Sequence, residues 1–344
     1  MTRTGKASKP TLRDVIDPNS FPLRQALIKR IQNKLGGKLI TYAANPNHPA
    51  AIIHIQDAMN VEDLLRSVSN SKKGYLMITS PGGDPNAAEK LIIMCRERFP
   101  EGFNVIVPNY AKSAATLIAL GADKILMGYS GELGPVDPQI GDPVSGGSVP
   151  ARAFIDGLET IRKKVKEGDN PLMYIGTLAR IQPELISICQ SAIDESEATA
   201  EKWLKNGMLK NDPTHAKQVA KWLSRGETYK SHGKVIDYQE AKEVLKLNVE
   251  KIDRDTELWN DIWELYVRQM AFFQNPAAAR GVAKLFESET VSLTMSIQIQ
   301  LLGIPQQPAQ PPQVPIIPIP KAPPQAPPQA PPQAPPKVEQ PIQA

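Results

Sequence analysis

Three short stretches carry residue types that suit acyl-transfer chemistry. They are Ser80-Pro81-Gly82-Gly83, Lys112-Ser113-Ala114-Ala115-Thr116 and Leu133-Gly134-Pro135-Val136-Asp137-Pro138-Gln139. Ser113 stands where an apolar helical run begins, and a serine there has two readings. As an N-cap it accepts a hydrogen bond from the first helical turn. As a nucleophile it attacks a carbonyl while the Ala114 N–H and the positive end of the helix favour the developing oxyanion. Gly82-Gly83 is equally open. It is either an ordinary glycine turn or a backbone that can bring an N–H close to a negatively charged oxygen.

The elements that must position these residues follow from the punctuation of the chain. Tyr75 to Thr79 is a short apolar run broken by Pro81-Gly82-Gly83, which predicts a buried strand. Asp84 caps and Pro85 opens a helix in which Leu91, Ile92, Met94 and Cys95 recur at helical spacing up to Phe99. The pattern then repeats. Val105 to Val107 predicts a strand, Pro108-Asn109 breaks it, and Ala114 to Leu120 predicts a short buried helix closed by Gly121. A third strand, Lys124 to Met127, runs into the turn-rich loop that holds Asp137.

Taken in order, Ser80-Pro81-Gly82-Gly83, the run Pro108 to Ile125 around Ser113, and Leu133 to Gln139 resemble the serine dehydrogenase proteinase family. That family is related to signal peptide peptidase A and belongs to the Clp protease and crotonase superfamily. A weaker likeness extends over residues 50 to 250. The resemblance implies an α/β fold of the Clp protease/crotonase type, a spiral of strand-turn-helix units, to which spacing and composition add a C-terminal helical addition and a disordered proline-rich tail. It implies a serine endopeptidase in which Ser113 is the nucleophile and Gly82, Gly83 and Ala114 form the oxyanion site. The family has Ser-Gly-Gly where this chain has Ser113-Ala114-Ala115.

The general base is the open point of the resemblance. Clp proteases place a histidine after the third strand, where this chain offers Asp137. Signal peptide peptidases use a lysine, and Lys163, Lys164 and Lys166 lie downstream at a comparable distance, with Lys166 the expected base among them. Lys112 is expected to point away from Ser113, and His232 is the remaining candidate. Two alternatives stand beside the peptidase: an inactive scaffold or peptide-binding protein of the same fold, and a crotonase-type acyl-CoA enzyme.

The rest of the chain bounds these readings. With 40 Lys and Arg against 36 Asp and Glu, the net charge of +4 describes a solvated surface and gives no footprint for nucleic acid. Cys95 and Cys189 sit in apolar helical contexts, are expected to be buried free thiols, and suit a reducing cytoplasm. No metal-ligand spacing accompanies them and no cofactor is expected. No apolar run is long enough to span a membrane. Further helices are expected from Leu23 to Leu35, Val61 to Val68, Phe154 to Val165, Pro183 to Leu204, Ala216 to Leu223, Tyr238 to Leu245 and Asp255 to Phe273, and a strand from Ala51 to Ile55. Residues 140 to 150 read as a loop near the site. Four segments result: a disordered stretch and helix over 1–44, a peptidase domain over 45–251, a helical extension over 252–302, and a Pro/Gln/Ala-rich tail over 303–344 with repeated Ala-Pro-Pro-Gln. The tail reads as a spacer or a ligand for an adaptor. The partners expected are a peptide or protein substrate and further copies of the chain in a closed homo-oligomer, for which Trp259, Trp263 and Tyr266 offer apolar surface.

Overall fold

The computed structural model describes residues 21–68, 71–141, 147–179, 181, 183–226, 228–275 and 280–296. The expectations of a disordered N-terminal stretch and of a proline-rich spacer fall on residues outside that set. The first half of the chain runs α1 (Phe21–Leu35), β1 (Lys38–Ala44), α2 (Asp57–Ser67), β2 (Lys73–Thr79), α3 (Pro85–Arg98) and β3 (Gly102–Val107). Around the Ser113 motif follow β4 (Tyr110–Ala111), α4 (Ala114–Leu120), β5 (Lys124–Met127), β6 (Glu132–Leu133), β7 (Gln139–Gly141) and β8 (Ser148–Pro150). Then come α5 (Ala151–Lys166), α6 (Ile175–Leu178), α7 (Pro183–Asn206), α8 (Pro213–Ser224), β9 (Val249–Lys251), α9 (Glu257–Gln274), β10 (Val282–Glu287) and β11 (Ser292–Ser296).

Among the described residues, one sheet of seven strands is the frame, in the order β11-β10-β1-β2-β3-β5-β9. The run β1-β2-β3-β5-β9 is parallel, and β10 and β11 add to it antiparallel. Each central strand is covered on both faces, which is why it reads as a continuous apolar run. In β2, Leu76 and Ile78 join a core with α2, α3 and α4. Tyr75 and Met77 face the opposite way, into a second core with α1 and α9. Helices on both faces of a parallel sheet leave the carboxyl ends of the strands as the place for a site, and the loops after β2, β3 and β5 meet there.

Several expectations shift. Ala51 to Ile55 does not form a strand. A 3-10 turn (Pro49–Ala51) precedes Ile53, which makes a single parallel bridge to Gly83 before the chain turns into α2 at Asp57. The strand on this side is β1, whose Lys-Leu-Ile-Thr-Tyr-Ala-Ala is less apolar than its burial suggests. The expected loop of residues 140 to 150 contains the β7–β8 hairpin, and Tyr238 to Leu245 holds a single π-helical turn (Glu240–Val244). The extension from residue 252 is not wholly helical. After α9 the chain returns to the sheet as β10, beside β1. Trp259 is buried against Ile106, Leu126 and Ile262, so that end of the aromatic stripe is core.

Candidate active site

Ser113 sits on a tight turn between β4 and α4. Its backbone is at φ 50° and ψ −120°, and its side chain caps nothing. A non-glycine residue in that region costs on the order of 1–3 kcal/mol, so the surroundings must impose it. They do so with paired backbone bonds. Ser80 N–H donates to Tyr110 O (3.2 Å) and Lys112 N–H to Ser80 O (3.0 Å), which fixes the chain entering the turn. Ala115 N–H donates to Lys112 O (2.8 Å) on the way out. Thr116 Oγ1 donates to Ala111 O (2.7 Å) and accepts from Gly134 N–H (3.0 Å), tying the turn to the loop that carries Asp137. The cap reading of Ser113 is thereby excluded.

The two glycines are packed where no side chain fits. A Cβ on Gly82, at φ 104°, would lie 2.6 Å from Ser113 Cβ and 2.6 Å from Lys112 O. A Cβ on Gly83, at φ 148°, would lie 2.4 Å from both Ile53 N and Ile53 O. Ile53 N–H donates to Gly82 O (2.7 Å) and Asp84 N–H donates to Ile53 O (2.9 Å). In a parallel bridge of this kind the residue between those two groups turns its own N–H to the other side, and Gly83 lines the same cleft as Ser113. Neither the Gly83 nor the Ala114 N–H has a partner among the described residues. Asp84 closes the turn by accepting from Asn86 N–H (2.8 Å) at the start of α3.

Ser113 lines a cleft of about 410 Å3 together with Asp137, Gln139 and His232. His232 Nδ1 lies 2.8 Å from Asp137 Oδ1, and Gln139 Nε2 donates to Asp137 Oδ2 (3.0 Å). Asp137 is buried, so its carboxylate is held by these side-chain contacts away from bulk water, while His232 is partly exposed. With Nδ1 engaged, Nε2 is the ring nitrogen left for the cleft. The loop carrying His232 is held to the Asp137 loop by an antiparallel bridge between Leu133 and Ile236. Ile52, Leu117, Val136 and Ala192 supply an apolar side to the same cleft.

The sequence-predicted residues divide on this geometry. Ser113, Gly82, Gly83, Ala114 and Asp137 line one cleft. Lys166 does not. It ends α5 in a surface groove with Asp156, Glu159, Arg162 and Lys163, because the basic residues of this amphipathic helix occupy its solvated face. Lys112 turns away, its ammonium bonded to Leu133 O (3.0 Å) and Glu132 Oε1 (2.9 Å). His232 is the residue that local reading underrates, since nothing in Ser231-His232-Gly233 marks it. His48 caps a 3-10 turn and His215 bonds Leu245 O, which leaves few imidazoles free for chemistry. Among the described residues no cluster of His, Cys, Asp or Glu is arranged to hold a metal ion.

Residues 22–286 match the profile of the family described as ClpP-like SDH-type serine proteinase. An uncharacterized protein of Methanocaldococcus jannaschii is 30% identical over 232 residues, which covers 67% of this chain and 69% of that protein. A second from the same organism is 29% identical over 220 residues, covering 59% and 64%. Among solved structures, the membrane-bound stomatin-specific protease 1510-N, as a mutant in complex with a substrate peptide, aligns over 75% of this chain and 88% of its own at 14% identity and a TM-score of 0.39. An enoyl-CoA hydratase from Shewanella pealeana aligns over 68% and 93% at 15% identity and a TM-score of 0.25.

Proposed function

The chain belongs to the ClpP-like SDH-type serine proteinase family, and on that premise we propose that it hydrolyses peptide bonds with Ser113 as nucleophile, His232 as general base and Asp137 as the group that orients His232. The observation that carries the proposal is that the hydrogen-bonded His232–Asp137 pair and Ser113 line one cleft. In the acylation step, His232 Nε2 takes the hydroxyl proton as Ser113 Oγ bonds to the scissile carbonyl carbon. The carbonyl oxygen becomes the oxyanion and receives the Gly83 and Ala114 N–H groups, while Gly82 keeps the turn tight. Collapse of this intermediate breaks the C–N bond, and the leaving amine takes the proton from His232. Water, deprotonated by the same imidazole, then attacks the acyl carbon; the bond to Ser113 Oγ breaks, and the imidazolium returns the proton to Oγ as the carboxylic acid product forms. Asp137 accepts from Nδ1–H throughout, which fixes the tautomer and stabilises the imidazolium.

The Ala114-Ala115 departure is compatible with this role for the backbone, because the oxyanion is bound by the Ala114 N–H and not by its side chain. Turnover of a fluorogenic peptide mixture by the wild-type chain, absent in Ser113→Ala of unchanged melting temperature, is the test. Wild-type protein that cleaves nothing and reacts with no serine probe favours the scaffold alternative.

A homo-oligomer and a reducing cytoplasmic setting belong to the same proposal. The first is supported by Leu172, Met173, Ile175 and Leu178, which stand exposed around α6 beside an apolar groove of about 650 Å3. The second is supported by two cysteines that are buried and unpaired. Among the described residues no helix is long and apolar enough to cross a membrane. Sedimentation at micromolar concentration tests the oligomer, which a monomer throughout contradicts.

A further inference from the structure

β10 brings a charged side chain into the interior. Lys284 Nζ bonds both oxygens of Asp57 (2.7 and 2.9 Å), and neither side chain reaches solvent. Burial draws the Lys284 ammonium below the ordinary lysine range, with Asp57 opposing. A buried ion pair is a poor source of stability, because removing both charges from water costs about as much as their attraction returns. What the pair orients is the better explanation of its place.

Asp57 makes two further bonds. Its Oδ2 accepts from Tyr42 OH (2.8 Å) and from the backbone N–H of His54 (2.9 Å). Asp57 N–H in turn donates to His54 O (2.9 Å), so both backbone groups of His54 are held by one residue. His54 follows Ile53, and Ile53 holds the peptide groups on either side of Gly83. The space beside Gly83 is filled by Ile53 backbone at a distance that leaves no slack. A displacement of His54 is therefore passed to Gly83, and through Gly82 to the Ser113 turn that it touches.

We infer that Asp57 and Lys284 are positioning residues for the oxyanion turn, fixing the aim of the Gly83 N–H through His54 and Ile53. The inference rests on the peptidase reading for its catalytic consequence, while its geometric content stands by itself. It also gives β10 a role in the site, although that strand lies outside the three motifs that mark the site in sequence.

The test uses the full chain labelled with [15N]glycine. Its variants are the isosteric pair Asp57→Asn with Lys284→Met, which removes both charges together, and Tyr42→Phe, which removes one bond to Asp57 and keeps the ion pair. The Gly83 amide resonance is expected to move in the folded double variant and to move less, in the same direction, in Tyr42→Phe. Fluorophosphonate labelling of Ser113 is expected to slow at least tenfold in the double variant, and kcat for a peptide to fall while KM stays within twofold. That split separates a misaimed oxyanion donor from a general loss of fold. An unmoved Gly83 resonance in either folded variant overturns the inference. Absence of labelling in the wild-type chain overturns the peptidase reading instead, and the Gly83 shift then decides the positioning role without it.

Discussion

His232 Nδ1 and Asp137 Oδ1 stand 2.8 Å apart across 95 residues of chain. Asp137 is carried by the loop after β6, His232 by the segment before the π-helical turn, and the Leu133–Ile236 bridge brings the two together. Gln139 holds the second carboxylate oxygen, so the aspartate has one orientation in which it can serve the imidazole.

If that orientation matters, Asp137→Asn is expected to lower peptide hydrolysis by roughly 10^2 to 10^4-fold, because the amide can present its N–H to Nδ1 and favour the wrong tautomer. The melting temperature is expected to change little, since the shape of the side chain is kept. Kinetics within threefold of wild type would place the base elsewhere.

Gly83→Ala is expected to lose both labelling and stability. The added methyl meets Ile53 N and O at 2.4 Å, and backbone on both sides cannot yield as a flexible side chain can. A destabilisation of about 1–3 kcal/mol is the corresponding scale for a strained backbone position. Chemical denaturation and probe labelling of the same preparation check the two effects together. A variant as stable and as reactive as wild type contradicts the role assigned to this turn.

Two carboxylates anchor α1 and make its attachment sensitive to acid. Burial raises the Asp261 carboxyl, but hydrogen bonds from Arg30 and Lys34 outweigh it and leave the group below the usual carboxylate range. Burial likewise raises Glu289, and Lys38 and Gln32 outweigh it. A carboxyl whose folded value lies below its unfolded one contributes stability that is complete above the unfolded value, about 4, and lost as pH falls through the folded value. Asp261→Asn is therefore expected to lower the melting temperature at pH 7 and to cost much less at pH 3. Equal losses at both pH values would contradict the ion-pair account.

Cys95 is expected to resist alkylation in the folded protein. Burial alone pushes its thiol up to about 12, and the side chain has no access to solvent. Mass spectrometry after iodoacetamide treatment at pH 8 should find Cys95 unmodified until denaturant is added. Rapid modification of the native chain would contradict its burial.

Much of the site's frame was legible because β2, β3 and β5 are short apolar runs, each ended by proline or glycine, with helices capped by recognisable residues. The conformation of Ser113 was not legible, since its positive φ is imposed by Ser80 and Gly82 from another unit of the chain. The proposed base was hidden for the same reason, as Asp137 and His232 meet only through tertiary structure. β10 falls in a segment whose sequence suggests a helical extension. Its Lys284 and Glu287 disguise a core strand, and only the partners Asp57 and Arg24, both distant in sequence, make their burial tolerable. Lys166 drew attention by its spacing from Ser113, yet the amphipathic pattern of α5 already assigned it to solvent.

The central claim is that Ser113 is activated by His232, and it is tested most directly by fluorophosphonate labelling of wild type, Ser113→Ala and His232→Ala, with and without added imidazole. Wild type is expected to be labelled at Ser113 alone, Ser113→Ala not at all, and His232→Ala at least a hundredfold more slowly, with part of the rate restored by imidazole. Labelling of His232→Ala at the wild-type rate, or no labelling of wild type between pH 6 and pH 10, would contradict the account.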